Sequence, residues 1–80
     1  MKRDEIFNNL SNLIVANNKE LNKEQVMMNS TFEDLNMDSL DFISIITDLE
    51  KQYNIILTNE EVGQISNVSQ AVDVIEKHIA

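Results

Sequence analysis

The chain contains no proline and a single glycine, Gly63, so very little in its 80 residues interrupts helical structure. Proline breaks helix interiors and glycine weakens them. The limits of each element must therefore be marked by capping residues and by apolar periodicity. The run Ile55-Ile56-Leu57 resembles a strand but has no partner strand elsewhere in the sequence, and we interpret it as a buried loop lid. The sequence predicts an all-α fold.

Apolar residues recur at helical spacing in three longer segments and in one short one. The first helix is predicted from about Asp4 to Asn17, and the second from Ser39 to about Tyr53. Side chains on the apolar faces must be buried against each other. The predicted inward positions are Ile6, Phe7, Leu10, Leu13, Ile14, Phe42, Ile45, Ile46, Leu49, Tyr53, Val62, Ile65, Val68, Ala71, Val72, Ile75 and Ile79.

Two capping boxes mark the later helices. Thr58 with Glu61 opens a short third helix, and Asn67 with Gln70 opens a fourth. A polar loop joins the first two helices, and four apolar side chains anchor it. The sequence therefore predicts one domain over residues 1–80, a small four-helix bundle with a long loop between the first and second helices. The predicted loop anchors are Leu21, Val26, Phe32 and Leu35.

The hexapeptide Asn36-Met37-Asp38-Ser39-Leu40-Asp41 lies where the long loop becomes the second helix. Asp38 is suited to accept hydrogen bonds from the first free N–H groups of that helix, and Ser39 is its first residue. A phosphate esterified to this hydroxyl would meet free N–H groups and the positive end of the helix dipole. The position is therefore suited to carry a phosphodiester.

The stretch EDLNMDSLD, residues 33–41, resembles the acyl carrier protein family, whose attachment motif is Asp-Ser-Leu. Residues 48–75 follow the family's order of second helix, loop, short third helix and fourth helix, and the likeness covers nearly the whole chain. Asn36 replaces the family's usual glycine, but asparagine tolerates the left-handed backbone that the turn requires. Ser44, Thr47 and Lys51 depart from the pattern of general fatty-acid carriers and weaken the expected fit to the enzymes of fatty-acid synthesis. A carrier of a specialised pathway is therefore nearly as well supported as a fatty-acid carrier.

The resemblance implies a non-catalytic carrier. Ser39 would be esterified by 4′-phosphopantetheine, whose thiol holds acyl groups as thioesters for separate enzymes of fatty-acid, polyketide or other lipid biosynthesis. Asp38 would help to hold the Mg²⁺ of the phosphopantetheinyl transferase that attaches the arm. In the family the acyl chain enters between the second and third helices. That would put Ile46, Leu49, Ile56, Val62 and Ile65 around it.

Negative charge surrounds Ser39. Eight acidic residues and one basic residue, Lys51, lie between Ser30 and Val62, so −7 of the net charge of −8 lies in this part of the chain. This argues against nucleic acid as a partner and predicts a docking field for basic partners. The resemblance implies that these partners are acyl-transfer, condensing or ligase enzymes. The outward face of the second helix is the predicted contact surface. The predicted docking residues are Leu40, Asp41, Ile43, Asp48, Glu50, Glu60 and Glu61.

The absence of cysteine excludes disulfides and thiolate metal sites, and no N-terminal apolar run is suited to a signal peptide or membrane span. We therefore expect a cytoplasmic protein. The resemblance implies that it is not an enzyme, and we also expect a monomer with no resident metal. An EF-hand loop starting at Asp34 would have Ser39 instead of glycine at its sixth position and Ile45 instead of glutamate at its twelfth. It would lack the sharp turn and the bidentate ligand, so this stretch would be a poor calcium site.

Other roles for Ser39 fit the sequence less well. A hydrolase nucleophile would need flanking glycines and a nearby base, but the single histidine, His78, lies at the far C-terminus and is interpreted as a surface residue near a helix end. A peptidyl or aminoacyl carrier is the closest alternative. An unmodified acidic interaction module on the same scaffold, in which Ser39 only begins a helix, is the alternative from another class.

Overall fold

Four helices and one turn of 3₁₀ helix account for the regular structure of the described part of the chain. The computed structural model describes residues 2–79. The helices are α1 (Lys2–Asn17), α2 (Ser39–Tyr53), α3 (Asn59–Gly63) and α4 (Val68–Ile79), and the 3₁₀ turn is Lys23–Gln25. Within residues 2–79 there is no strand, and the one strand-like pairing is an isolated bridge between Thr31 and Asn67. The predicted all-α fold is confirmed.

The helix limits agree closely with the capping signals. α2 has the predicted bounds, and α1 begins at Lys2 rather than Asp4, with two acidic residues in its positive first turn. Both capping boxes form. Glu61 N–H donates to Thr58 Oγ1 at 3.1 Å while Thr58 N–H donates to Glu61 Oε1 at 2.9 Å. At α4, Gln70 N–H donates to Asn67 Oδ1 at 2.8 Å and Asn67 N–H donates to Gln70 Oε1 at 3.0 Å.

The core lies between α1, α2 and α4, because α1 packs against both of the other long helices. Most predicted inward positions are buried. The others are half-buried at the edge of the core: Phe7, Leu13, Phe42, Tyr53, Val62 and Ile79. Among the loop anchors Leu21 is also half-buried. The buried apolar residues are Ile6, Leu10, Ile14, Val26, Phe32, Leu35, Met37, Ile45, Ile46, Leu49, Leu57, Ile65, Val68, Ala71, Val72, Val74 and Ile75.

The long loop is fastened to the start of α4 by backbone hydrogen bonds. Val68 N–H donates to the Ser30 carbonyl at 2.9 Å, Ser69 N–H to the Met28 carbonyl at 2.8 Å, and Phe32 N–H to the Ser66 carbonyl at 3.2 Å. Each bond joins residues far apart in the chain. They hold the second half of the loop at a fixed distance from α4.

The segment after α2 corrects one prediction. Asn54 ends α2 in the left-handed conformation with φ 55°. The Glu50 carbonyl accepts the N–H groups of Asn54 and Ile55, and the Glu50 carboxylate accepts that of Leu57. These bonds turn Leu57 inward and leave Ile56 83% exposed. The prediction of a buried lid is therefore wrong at Ile56, although Leu57 is buried and Ile55 half-buried.

Candidate functional site

Ser39 is the first residue of α2, and its side chain is exposed. Asp38, the capping residue, has an extended backbone, and its Oδ1 accepts the Asp41 N–H at 2.9 Å while its carbonyl accepts the Phe42 N–H. Within residues 2–79 the N–H groups of Ser39 and Leu40 have no hydrogen-bond partner. The predicted cap is confirmed, and two helix N–H groups stay available beside the serine hydroxyl.

The turn before the helix fixes the position of this hydroxyl. Asn36 has φ 58°, so the left-handed conformation predicted for it is confirmed. On either side of it Leu35 and Met37 are buried, and Met37 N–H donates to the Phe32 carbonyl at 2.9 Å. The turn is thus anchored to the core at both ends. The burial of Met37 was not predicted, because a methionine inside a polar motif carries no periodic signal.

The outward face of α2 is exposed as predicted. Leu40 is 78% exposed and Ile43 56% exposed, and Thr47 lies on the same face. Asp41 and Asp48 are half-exposed beside them. The helix therefore presents two large apolar side chains and two carboxylates on the side away from the core, close to Ser39.

Two of the predicted docking acids have partners inside the molecule. The Glu50 carboxylate accepts the Leu57 N–H at 2.9 Å. The hydrogen bond from the Thr58 N–H lowers the pKa of Glu61 below its ordinary value, and His78, whose Nε2 lies 2.8 Å from Glu61 Oε2, lowers it further. His78 is exposed near the end of α4, as predicted, but it also links α4 to α3. Glu60 is exposed.

The structure does not gather all the residues predicted around an acyl chain. Ile46, Leu49 and Ile65 are buried in the core, Val62 is half-buried, and Ile56 faces away from them toward solvent. The sequence pattern marked Ile56 as apolar, but apolarity alone does not determine the side of a loop on which a side chain lies.

A cleft of about 550 Å³ begins at Ser39 and runs between α2 and the long loop. One wall is the start of α2, the opposite wall is the loop before it, and the far end is the segment that precedes α4. Phe32 and Phe42 meet in it edge to face, with ring centroids 5.1 Å apart. The sequence did not predict this cleft, because its far end, at Ile65 and Ser66, is remote along the chain from its two walls. It is lined by Thr31, Phe32, Glu33, Asp34, Met37, Asp38, Ser39, Phe42, Ile65 and Ser66.

Neither a metal cluster nor a membrane span is found in the described part of the chain. Residues 2–79 contain no group of three or more His, Cys, Asp or Glu side chains arranged to hold a metal ion. Among the same residues, no helix has the length and apolar character needed to cross a membrane.

Comparisons with known proteins point to one family. The model of the family described as phosphopantetheine attachment site matches residues 14–75. An acyl carrier protein of Lactobacillus acidophilus is 35% identical over 79 residues, 98% of each chain, and one of Guillardia theta is 35% identical over 81 residues, 100% of this chain and 99% of that one.

Solved structures give the same result for the fold. The crystal structure of an acyl carrier protein from Thermotoga maritima superposes with a TM-score of 0.86, at 23% identity, over 99% of this chain and 92% of that one. The acyl carrier protein from Enterococcus faecalis, studied for its high thermal stability, superposes with a TM-score of 0.76, at 26% identity, over 96% of this chain and 98% of that one.

Proposed function

Because this chain belongs to the acyl carrier protein family, we propose that Ser39 is the residue that bears its 4′-phosphopantetheine arm. Proteins of this family are carriers rather than catalysts, and their partners are enzymes that handle acyl groups. The arm, when bound, supplies a thiol that holds an acyl group as a thioester. The observation that carries the assignment is an exposed serine at the first position of α2, directly after a capping aspartate and inside the matched region.

The residues around Ser39 fit a phosphodiester. The N–H groups of Ser39 and Leu40 lie at the positive end of a 15-residue helix and have no partner within residues 2–79. Such groups stabilise a negative charge through hydrogen bonds and the helix dipole. The anchored turn at Asn36 keeps the hydroxyl at a fixed place on the surface, where an enzyme can reach it.

Intact-mass measurement tests the attachment. The protein is expressed beside a phosphopantetheinyl transferase, and the wild-type chain is expected to gain the mass of the arm. Ser39→Ala is expected to gain nothing. Ser44→Ala is the matched control, because Ser44 is another exposed serine on the same helix. A Ser39→Ala protein that still gains the arm would refute the assignment, and a wild-type chain that never gains it would favour the unmodified interaction module.

Asp38 is proposed to have two roles, a cap of α2 and a contact to the Mg²⁺ of the transferase. Asp38→Asn keeps a side-chain oxygen that can accept the Asp41 N–H, whereas Asp38→Ala removes it. We expect Asp38→Ala to cost about 1 kcal/mol of unfolding free energy and Asp38→Asn much less. Both are expected to slow loading. If Asp38→Asn loads at the wild-type rate, the negative charge has no part in loading.

We propose that partner enzymes dock on the outward face of α2, with Glu60 of α3 at its margin. Leu40 and Ile43 would determine how long the complex lasts, and Asp41 and Asp48 how fast it forms. Glu50 and Glu61 remain within the proposed acidic surface, but their internal partners give them a second role in stability.

Two substitutions separate these effects. Ile43→Ser should speed dissociation from the transferase at any ionic strength and leave the melting temperature nearly unchanged, because Ile43 is 56% exposed. Asp41→Asn should slow capture, most strongly at low salt. Unfolding of the Ile43→Ser protein would contradict the assignment of this side chain to the surface.

The remaining predictions concern the state of the protein. We propose that residues 1–80 act as one monomeric domain, since one core joins α1, α2 and α4 and a net charge of −8 opposes self-association. A cytoplasmic location remains a prediction, as does a role in either fatty-acid biosynthesis or a specialised pathway.

A further inference from the structure

The outward face of α2 carries a stripe that ends in a cation. Residues at spacings of three or four lie on one side of a helix, and four such side chains, all of them exposed, form this stripe: Leu40, Ile43, Thr47 and Lys51. Lys51 follows Leu40 by about three turns, or about 16 Å along the helix axis. The stripe therefore begins with two apolar side chains close to Ser39 and ends with an ammonium group.

Lys51 has no internal partner for its charge. It is the single basic residue between Ser30 and Val62. Within residues 2–79 the ion pairs are those of Arg3 and His78, and none involves Lys51. Glu50, its neighbour in the chain, has its carboxylate bonded to the Leu57 N–H. The ammonium group is thus free to contact a partner molecule.

The two ends of this face carry opposite charges. Asp41, in the first turn of α2, lies about 15 Å along the axis from Lys51. The screening length at physiological ionic strength is about 8 Å, so a docked protein meets the two charges as separate contacts. An enzyme that is basic at both places would be attracted at Asp41 and repelled at Lys51. The face therefore fits an enzyme with a cation opposite Asp41 and a carboxylate opposite Lys51.

We propose that Lys51 determines which enzymes dock on this face, by binding a carboxylate on the enzyme surface and repelling a lysine or arginine placed there. This inference rests on the proposed docking of partner enzymes on α2. It adds the chemistry of the far contact, where the enzyme is acidic, whereas its contacts near Ser39 are basic.

A role in the helix alone is the competing explanation for this lysine. Lys51 lies in the last turn of α2, where a cation stabilises the helix through its dipole. Lys77 has the same place in the last turn of α4, is also exposed, and lies on a different helix from the docking face. Lys77→Glu therefore changes the net charge and a helix end in the same way as Lys51→Glu, and it is the matched control.

Loading by the phosphopantetheinyl transferase of the same organism tests the contact, with intact mass as the readout of rate. We expect Lys51→Gln to raise KM about threefold, because an exposed ion pair is lost, and Lys51→Glu about tenfold, because repulsion is added. Both should leave kcat unchanged, since Lys51 is three turns away from Ser39. Lys77→Glu should leave both constants at their wild-type values, and melting curves check that every variant folds.

A carbodiimide, which joins an amine directly to a carboxylate, identifies the group opposite Lys51. It should link Lys51 to an aspartate or glutamate of the transferase. Replacing that residue by lysine in the enzyme should restore tight binding of Lys51→Glu and weaken binding of the wild-type chain. This exchange of charges is a readout that a role in helix stability alone would not produce.

The outcomes separate this inference from the function on which it rests. A wild-type KM for Lys51→Glu, or an effect no larger than that of Lys77→Glu, would overturn the role of Lys51. A lower KM for Lys51→Glu would also overturn it, because the enzyme would then be basic at that place. Ile43→Ser is measured alongside: if it impairs loading while Lys51→Glu does not, the docking face stands without this contact. A wild-type chain that is never loaded refutes the proposed function itself.

Discussion

At the scale of single residues, Ser11 is a polar side chain buried among apolar ones. It lies on α1 among apolar core residues, it is fully buried, and its hydroxyl has no hydrogen-bond partner within residues 2–79. A buried hydroxyl that has lost water without gaining a partner destabilises the folded state. This position was not among the predicted inward residues, because serine does not contribute to an apolar pattern.

Ser11→Ala is therefore expected to stabilise the protein. Removing the hydroxyl should raise the unfolding free energy by about 1 kcal/mol, equivalent to about 4–8 °C in melting temperature for a domain of this size. Ser44→Ala, on the exposed face of α2, is the matched control, because it gains the helix propensity of alanine alone. If both variants gain equally in thermal denaturation, burial of the Ser11 hydroxyl has no cost.

At the scale of elements, α3 is the helix that depends most on its ends. It has five residues, Asn59–Gly63, and none of them is buried, so little apolar packing stabilises it. Its start is closed by the reciprocal bonds of Thr58 and Glu61, and the second oxygen of Glu61 meets His78 of α4. A helix this short is unstable by itself, so these side-chain contacts keep it in place.

The lowered pKa of Glu61 predicts a dependence on pH. A carboxyl whose pKa is lower in the folded state stabilises the fold at pH values above its unfolded pKa, and this contribution disappears as the pH falls through the folded value. Glu61→Gln keeps an acceptor for the Thr58 N–H but removes the charge. Its melting temperature should be below that of wild type at pH 7.

The difference between wild type and Glu61→Gln should shrink as the pH is lowered beneath the ordinary glutamate value of 4.5. Glu60→Gln is the control, because Glu60 is an exposed neighbour on the same helix. It should show no comparable loss at pH 7. A constant difference between wild type and Glu61→Gln across this pH range would mean that the charge of Glu61 does not contribute to stability.

At the scale of the whole molecule, the acidic residues oppose folding. A net charge of −7 between Ser30 and Val62 repels itself more strongly in the compact state than in the extended chain. Arg3 of α1 forms ion pairs with two acidic residues of α4, Asp73 at 2.6 Å and Glu76 at 3.0 Å. These contacts lie outside the acidic region and leave its repulsion in place.

Added salt should therefore raise the melting temperature by screening this repulsion. Asp48→Asn is expected to act in the same direction, with a gain of no more than about 0.5 kcal/mol at low salt. Asp73→Asn is the matched control, because it removes an aspartate that has a basic partner, and it should be neutral or slightly destabilising. Melting curves that do not respond to salt or to Asp48→Asn would show that the acidic residues are already far enough apart.

The sequence by itself determined the helices, their caps and the location of Ser39. These depend on residues three or four positions apart, such as Asp38 with Asp41 or Asn67 with Gln70, and the outward face of α2 follows from the same spacing. Both residues of each such pair lie in the same segment of the sequence, so the pair can be recognised without knowledge of the tertiary structure. The left-handed turn at Asn36 was predictable for the same reason.

Only the tertiary structure decided whether a loop side chain is buried or exposed, and which segments distant in the chain are in contact. Ile56 faces solvent because bonds to Glu50 turn its neighbour Leu57 inward. The cleft exists because residues 30–32 bond to residues 66–68, more than thirty positions away. Such contacts depend on how the helices pack and on loop closure, so they cannot be predicted from the periodicity of residues within one segment.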